Sequence, residues 1–204
     1  MKLITLLEDS KPENRLVIIY GGRFQPFHKG HFKAYKWLCK KFSEKNVWIA
    51  TSNKTNFNPK SGAISPFDFK EKKEMMVSLY GIMPRKIMQT ANPTFAPKEI
   101  FKLYKGFAPV YVAAVGEKDE ERYKKGNFFK PMPEEFDTEE LFSVKDKAGY
   151  YIVVPTFQEI SGTEVRDELK AAQGSSREAL FKRFFGKYDD TIDSLITARL
   201  KDVK

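Results

Sequence analysis

The chain has 204 residues, 41% hydrophobic and 31% charged, with 36 Lys and Arg against 27 Asp and Glu and a net charge of +9. That length suits one domain with appendages and a proper core. The single cysteine, Cys39, excludes an internal disulfide and a cysteine-built zinc site, and two histidines make a protein-built zinc site an unexpected feature.

No apolar run reaches the length of a membrane span, and residues 1–7 lack the core of a signal peptide, so the cytosol is the expected compartment. The basic excess is spread along the chain without a long block. This favours a basic surface with a phosphate site over a nucleic-acid binder.

Residues 1–15 read as a polar N-terminal tail ending in the turn-forming Lys11-Pro12-Glu13-Asn14. An apolar strand follows at 16–20. The next ten residues hold both histidines, in Gly22-Arg23-Phe24-Gln25-Pro26-Phe27-His28-Lys29-Gly30-His31. A strand, a glycine-containing turn and a helix start present backbone N–H groups to a phosphate, and Arg23, Lys29 and two imidazoles add donors. A helix from 31 to 42 carries Phe32, Tyr35, Leu38, Cys39 and Phe42 on one face. Cys39 on that face is a core thiol rather than a nucleophile.

Strand 47–50 leads to a polar loop, 51–63, long enough to suggest function. A second helix is expected from about 65–66, with Asp68 and Glu71 spaced as a capping box. Further expectations are a strand at 86–89, a turn at Asn92-Pro93, a short helix at 97–105 and a buried strand at 110–115. A charged, irregular excursion fills 117–149, and the last clear strand is 150–154. Helices are expected at 161–172, 175–185 and 189–202. The last has an apolar stripe of Ile192, Leu195, Ile196 and Leu200 that needs burying.

This rhythm gives an α/β fold: a Rossmann-like parallel sheet with helices on both faces, plus C-terminal helices. The expected division is a tail at 1–15, a main domain at 16–173 and a helical extension at 174–204. Ligands of such sheets bind beyond the carboxyl ends of the strands. There the sequence places the histidine loop and a second segment, Ile160-Ser161-Gly162-Thr163-Glu164-Val165-Arg166, whose Ser161 and Glu164 form a capping box. A capped helix start still directs positive dipole and free N–H groups outward.

Gly22, Phe24, Pro26, His28, Gly30 and His31 match G-x-F-x-P-x-H-x-G-H, and residues 160–166 match I-S-x-T-x-x-R. With both in the expected order, residues 16–170 resemble the nucleotidylyltransferase superfamily. The wording GRFQPFHKGH is most similar to nicotinamide mononucleotide adenylyltransferases of the archaeal type. The resemblance implies that His28 and His31 contact the triphosphate of a bound nucleotide and stabilise charge during attack on its α-phosphorus, with Arg166 as the third catalytic residue. Gly22, Arg23, Phe24, Lys29, Gly30, Ser161 and Thr163 would bind the nucleotide. Mg²⁺ would travel with the triphosphate. The implied partners are a nucleoside triphosphate, ATP by this wording, and a phosphorylated acceptor, nicotinamide mononucleotide, with NAD and pyrophosphate as products.

Two other readings stay open. One is a cytidylyltransferase acting on a sugar or alcohol phosphate. The other is a non-catalytic nucleotide- or RNA-binding module, against which the intact His28, His31 and Arg166 argue. A homo-oligomer also remains open. Gly116 and Asp119, after the 110–115 strand, sit where the family places a nucleotide-contacting turn, though with different spacing. At a strand end, the histidine loop is expected to be exposed.

Overall fold

A computed structural model describes residues 12–55, 57–58, 63–95 and 97–201. Most of the 1–15 tail and parts of the 51–63 loop therefore lie outside the described residues. Eight strands occur among them: β1 (Asn14–Gly21), β2 (Val47–Thr51), β3 (Phe57–Asn58), β4 (Ala63–Ile64), β5 (Ile87–Gln89), β6 (Ala108–Gly116), β7 (Phe129–Pro131) and β8 (Gly149–Val154). Seven α-helices accompany them: α1 (Lys29–Phe42), α2 (Phe69–Tyr80), α3 (Lys98–Phe101), α4 (Glu120–Lys124), α5 (Gly162–Ala171), α6 (Gly174–Phe185) and α7 (Asp190–Lys201).

Six strands make one sheet in the order β5-β2-β1-β6-β8-β7, and every pairing is parallel. The remaining two, β3 and β4, form a small antiparallel ladder within the polar loop. β1 shows why the sheet lies between two layers. Leu16 and Ile18 enter one core with Ala34, Tyr35 and Leu38 of α1 and Met76 of α2. Val17 and Ile19, pointing the other way, join Ile100 of α3, Tyr111 of β6 and Tyr123 of α4. A strand buried on both faces reads as an unbroken apolar run, as 16–20 does.

The chain runs from β1 outward to β2 and β5, then returns to β6 on the other side of β1. The order reverses between β1 and β6, and a crevice opens at the carboxyl end of such a switch point.

A third core joins Phe67, Met75 and Leu79 from around α2 with Val165 and Leu169 of α5, Phe181, Phe184 and Phe185 of α6, and Ile192, Ile196 and Leu200 of α7. The α7 stripe is thus covered by the chain's own residues. Each fully buried Phe contributes about 2–3 kcal/mol. Arg177 of α6 reaches Asp193 of α7 at 2.6 Å and donates to the Leu169 carbonyl at the end of α5. No helix of the described residues is long and apolar enough to cross a membrane.

Two expectations need correction. The second helix starts at Phe69, not near 65–66, because Asp68 is its N-cap. The Asp68 carboxylate accepts from Glu71 N, and that of Glu71 accepts from Asp68 N, both at 2.9 Å. The excursion after 117 is also less irregular than expected. It contains α4 and β7, and β7 pairs in parallel with β8 at the sheet edge.

Candidate active site

The histidine loop joins β1 to α1 at the switch point. His28 is the N-cap of α1, which begins at Lys29, two residues earlier than expected. Its Nδ1 accepts from Gly30 N at 3.2 Å, while His31 Nδ1 accepts from His28 N at 3.3 Å. The two rings stack with centroids 3.7 Å apart. Phe24 and Phe27 lie against His31, with centroids at 5.1 and 5.4 Å. The loop is not the exposed one its position suggests: His28 is 3% exposed, and Phe24 and Phe27 are buried. Aromatic packing and the cap hold it down.

Burial pushes His28 down to about 4. His31 is held well below its usual value, first by burial and then by the neighbouring His28. Both imidazoles are therefore neutral near pH 7. With each Nδ1 engaged as an acceptor, the hydrogen-bond network assigns each ring's proton to Nε2. Two neutral Nε2–H donors thus stand side by side at the start of a helix.

Two adjoining cavities flank the loop. One, of about 280 Å³, is lined by Gly22, His28, Gly30, Gly116, Asp119 and the 154–158 segment, among others. The second, of about 300 Å³, is lined by Gln25, Ser161, Gly162, Thr163 and Arg166. Arg23, Phe24 and His31 line both. Gly116 and Asp119 therefore come to the same crevice as the histidines. Lys29, half-buried at the first position of α1, lines neither cavity. A larger depression of about 630 Å³ lies at the amino end of the sheet, beside Arg15, Asn46 and Phe107. Parallel sheets bind their ligands at the other end.

The 160–166 segment closes the second cavity. Ser161 caps α5, accepting from Glu164 N at 3.0 Å. Arg166 is buried, and donates from Nη1 to the Gln25 carbonyl at 2.5 Å and from Nη2 to Thr163 Oγ1 at 3.1 Å. Burial lowers its guanidinium from the ordinary value, with Asp167 opposing, yet an arginine remains charged. A Cβ on Gly162 would stand 2.5 Å from the Gln25 carbonyl oxygen, and one on Gly22 2.8 Å from the Phe24 ring. Glycine at both places permits the close approach. The N-termini of α1 and α5 thus converge with an arginine between them, an arrangement of donors suited to phosphate oxygens.

Sequence reasoning missed two residues. The Gln25 amide is paired on both sides with the Phe67 backbone, Nε2 to O at 2.7 Å and N to Oε1 at 2.9 Å. This fastens the loop to the segment before α2. Lys72 of α2 is fully buried, and its ammonium donates to Thr51 Oγ1 at 2.9 Å, the Ser52 carbonyl at 2.5 Å and the Arg23 carbonyl at 3.3 Å. Its position relative to Met75, Met76 and Leu79 puts it on the helix's buried stripe, the one signal that marks it in the sequence.

The model of the cytidylyltransferase-like family matches residues 19–168, which include both loops. No curated protein sequence matches the chain. Among solved structures, the fold is similar to a Plasmodium falciparum nicotinic acid mononucleotide adenylyltransferase complexed with NaAD. The two are 17% identical with a TM-score of 0.55, over 94% of this chain and 98% of that one. It is also similar to a bifunctional NMN adenylyltransferase/ADP ribose pyrophosphatase from Francisella tularensis, complexed with AMP and a Mn ion. Identity there is 17% and the TM-score 0.51, over 94% of this chain and 50% of that one, so this chain spans about half the length of the bifunctional protein. At such identities the likeness establishes the fold.

Proposed function

The chain belongs to the cytidylyltransferase-like family of nucleotidyltransferases, and from that premise we propose that it transfers the adenylyl group of ATP to nicotinamide mononucleotide, giving NAD and pyrophosphate. The observation that supports nucleotidyl transfer is the placement of His28, His31, Thr163 and Arg166 around two cavities that meet at His31, while the choice of ATP and nicotinamide mononucleotide rests on the resemblance of the GRFQPFHKGH wording. The nucleoside and α-phosphate occupy the first cavity, and the β- and γ-phosphates the second.

An oxygen of the acceptor phosphate attacks the α-phosphorus in line. The new P–O bond forms as the bond to the β-phosphate oxygen breaks, and pyrophosphate departs. Such transfers need positioning and charge neutralisation more than covalent help from protein. The Nε2–H groups of His28 and His31 donate to α-phosphate oxygens as charge shifts onto them. Arg166 and Thr163 hold the departing phosphates, with Ser161 fixing the start of α5. Gly22 and Gly30 let backbone approach the nucleotide, Phe24 shapes the loop, Arg23 adds positive charge where the cavities meet, and Lys29 adds it from outside them at the start of α1.

The donors here are imidazole, guanidinium and backbone N–H, which fit phosphate oxygen, and among the described residues Asp119 is the one carboxylate lining either cavity, too little to hold a cation by itself. We therefore assign Mg²⁺ to the triphosphate, where it supplies charge neutralisation. We assign residues 16–173 to the transferase domain and 174–204 to a helical extension.

Incubation with ATP, Mg²⁺ and nicotinamide mononucleotide tests the reading, with NAD and pyrophosphate as the expected products. The family's description favours one other reading, cytidylyl transfer. Pyrophosphate release from CTP and a sugar or alcohol phosphate, without NAD formation, would replace the first reading with the second.

A further inference from the structure

Lys72 contributes an ammonium with no exposed surface, and its three hydrogen-bond partners, Thr51, Ser52 and Arg23, are neutral acceptors on two other segments. Burying a charge without a counter-charge is costly unless every proton is used. Here all three are. Thr51 Oγ1 also donates to the Arg23 carbonyl at 3.3 Å, so the two side chains converge on one backbone oxygen of the histidine loop. The loop is thereby held at two residues on either side of Phe24, Arg23 through Lys72 and Gln25 through Phe67.

We propose that the Lys72 ammonium is a positioning residue of the nucleotide site. It clasps the β1–α1 loop to the end of β2 in the shape that receives a triphosphate, and loss of its proton releases the loop. The inference rests on the nucleotide reading of that loop. A neutral amine has two N–H donors and a lone pair. One of the three acceptors would then lose its donor, and a lone pair would face oxygen.

The surroundings favour that loss at moderately alkaline pH. Burial pushes Lys72 down to about 8, with Asp68, the N-cap of α2 four residues earlier, opposing the shift. The other facing segments offer no compensating carboxylate. β2 carries no ionisable residue, Ser52 is neutral, and Arg23 approaches through its carbonyl with its side chain exposed. Protonation and nucleotide binding are then linked reciprocally. A bound polyanion favours the ammonium, and the ammonium favours the receptive loop.

The test compares the whole chain as wild type, Lys72→Met and Thr51→Val between pH 7 and 9.5. Two quantities are read: Mg²⁺–ATP affinity by calorimetry, and amide exchange of residues 22–31 without nucleotide, corrected for the intrinsic effect of pH. In the wild type, affinity should hold to about pH 7.5 and fall about tenfold by pH 9, as expected for one coupled proton. Exchange in the loop should quicken over the same interval. Lys72→Met should bind weakly at every pH, with no alkaline break. Thr51→Val, lacking one acceptor, should move the break to lower pH.

A lysine that merely supports the fold would lower the melting temperature when replaced, yet leave the wild-type loop's exchange level from pH 7 to 9.5. That level response overturns the proposal even if Lys72→Met does not fold. If the chain binds no ATP, the nucleotide reading fails, and the exchange data still decide whether Lys72 clasps the loop.

Discussion

Lowering the pH from 7 to 5 should destabilise this protein, because the fold keeps two imidazoles neutral that an unfolded chain would protonate. His28 is 3% exposed, and burial takes it from 6.5 to about 4. His31 moves in the same direction. When the folded value of a basic group is depressed, its share of stability is fully present above the unfolded value and is lost as the pH falls toward the folded one. The window is therefore from about 6.5 down to about 4. For His28 alone, the passage from pH 7 to 5 costs about 2 kcal/mol, at about 1.4 kcal/mol per unit of pH near the lower end. His31 adds to this loss.

The chain has no other histidine, and ordinary carboxylates titrate at about 4, so proton uptake on unfolding between pH 6 and 5 belongs mainly to this pair. Urea denaturation at pH 7, 6 and 5 measures it. Between pH 6 and 5 the slope should exceed about 1.4 kcal/mol per unit of pH, the value for one proton. His28→Gln should reduce it by about one proton's worth. Level stability from pH 7 to 5 would mean that the folded chain protonates its histidines as readily as the unfolded one, and the argument that burial keeps them neutral would fall with it.

Two substitutions probe the site directly. His31→Ala should cut turnover roughly 10²-fold or more, the scale for losing one preorganised donor, and near-normal pyrophosphate release would remove its catalytic assignment. Arg166→Lys should raise the KM for the triphosphate about tenfold or more, because an ammonium cannot bond Gln25 and Thr163 and still present a flat fork to phosphate. An unchanged KM and rate would make Arg166 a structural residue of α5.

The fold was legible where patterns are long. The apolar runs at 16–20, 47–50, 110–115 and 150–154 are strands in the structure, with ends within about two residues. β7 escaped because it has three residues, one of them Pro131, in a stretch rich in charge. Such an edge strand has too few positions to show alternation, and Pro is tolerated there. The candidate site was legible through its two motifs, which the fold brings to adjoining cavities, but its supports were not. Gln25 occupies a variable position of the histidine motif. Lys72 stands between Glu71 and Lys73, where composition suggests a solvated face, and only its spacing from Met75 and Leu79 reveals otherwise.

Phe67 gives the C-terminal helices a stake in chemistry they do not touch. Its ring is fully buried in the core shared with Phe181, Phe185 and Ile196, while its backbone grips the Gln25 amide. Gln25 in turn offers its carbonyl to Arg166. A load path thus runs from α6 and α7 through one residue into the histidine loop. A cavity opened by trimming Phe181 would let Phe67 drift, and the error would appear as misplacement of the loop rather than only as a lower melting temperature. In the transfer proposed above, which works by aiming donors at a developing charge, drift of a few tenths of an ångström would matter. The aim of the proposed donors would therefore depend on the packing of the last helices, and the tolerance of the candidate site would be set partly by side chains remote from it.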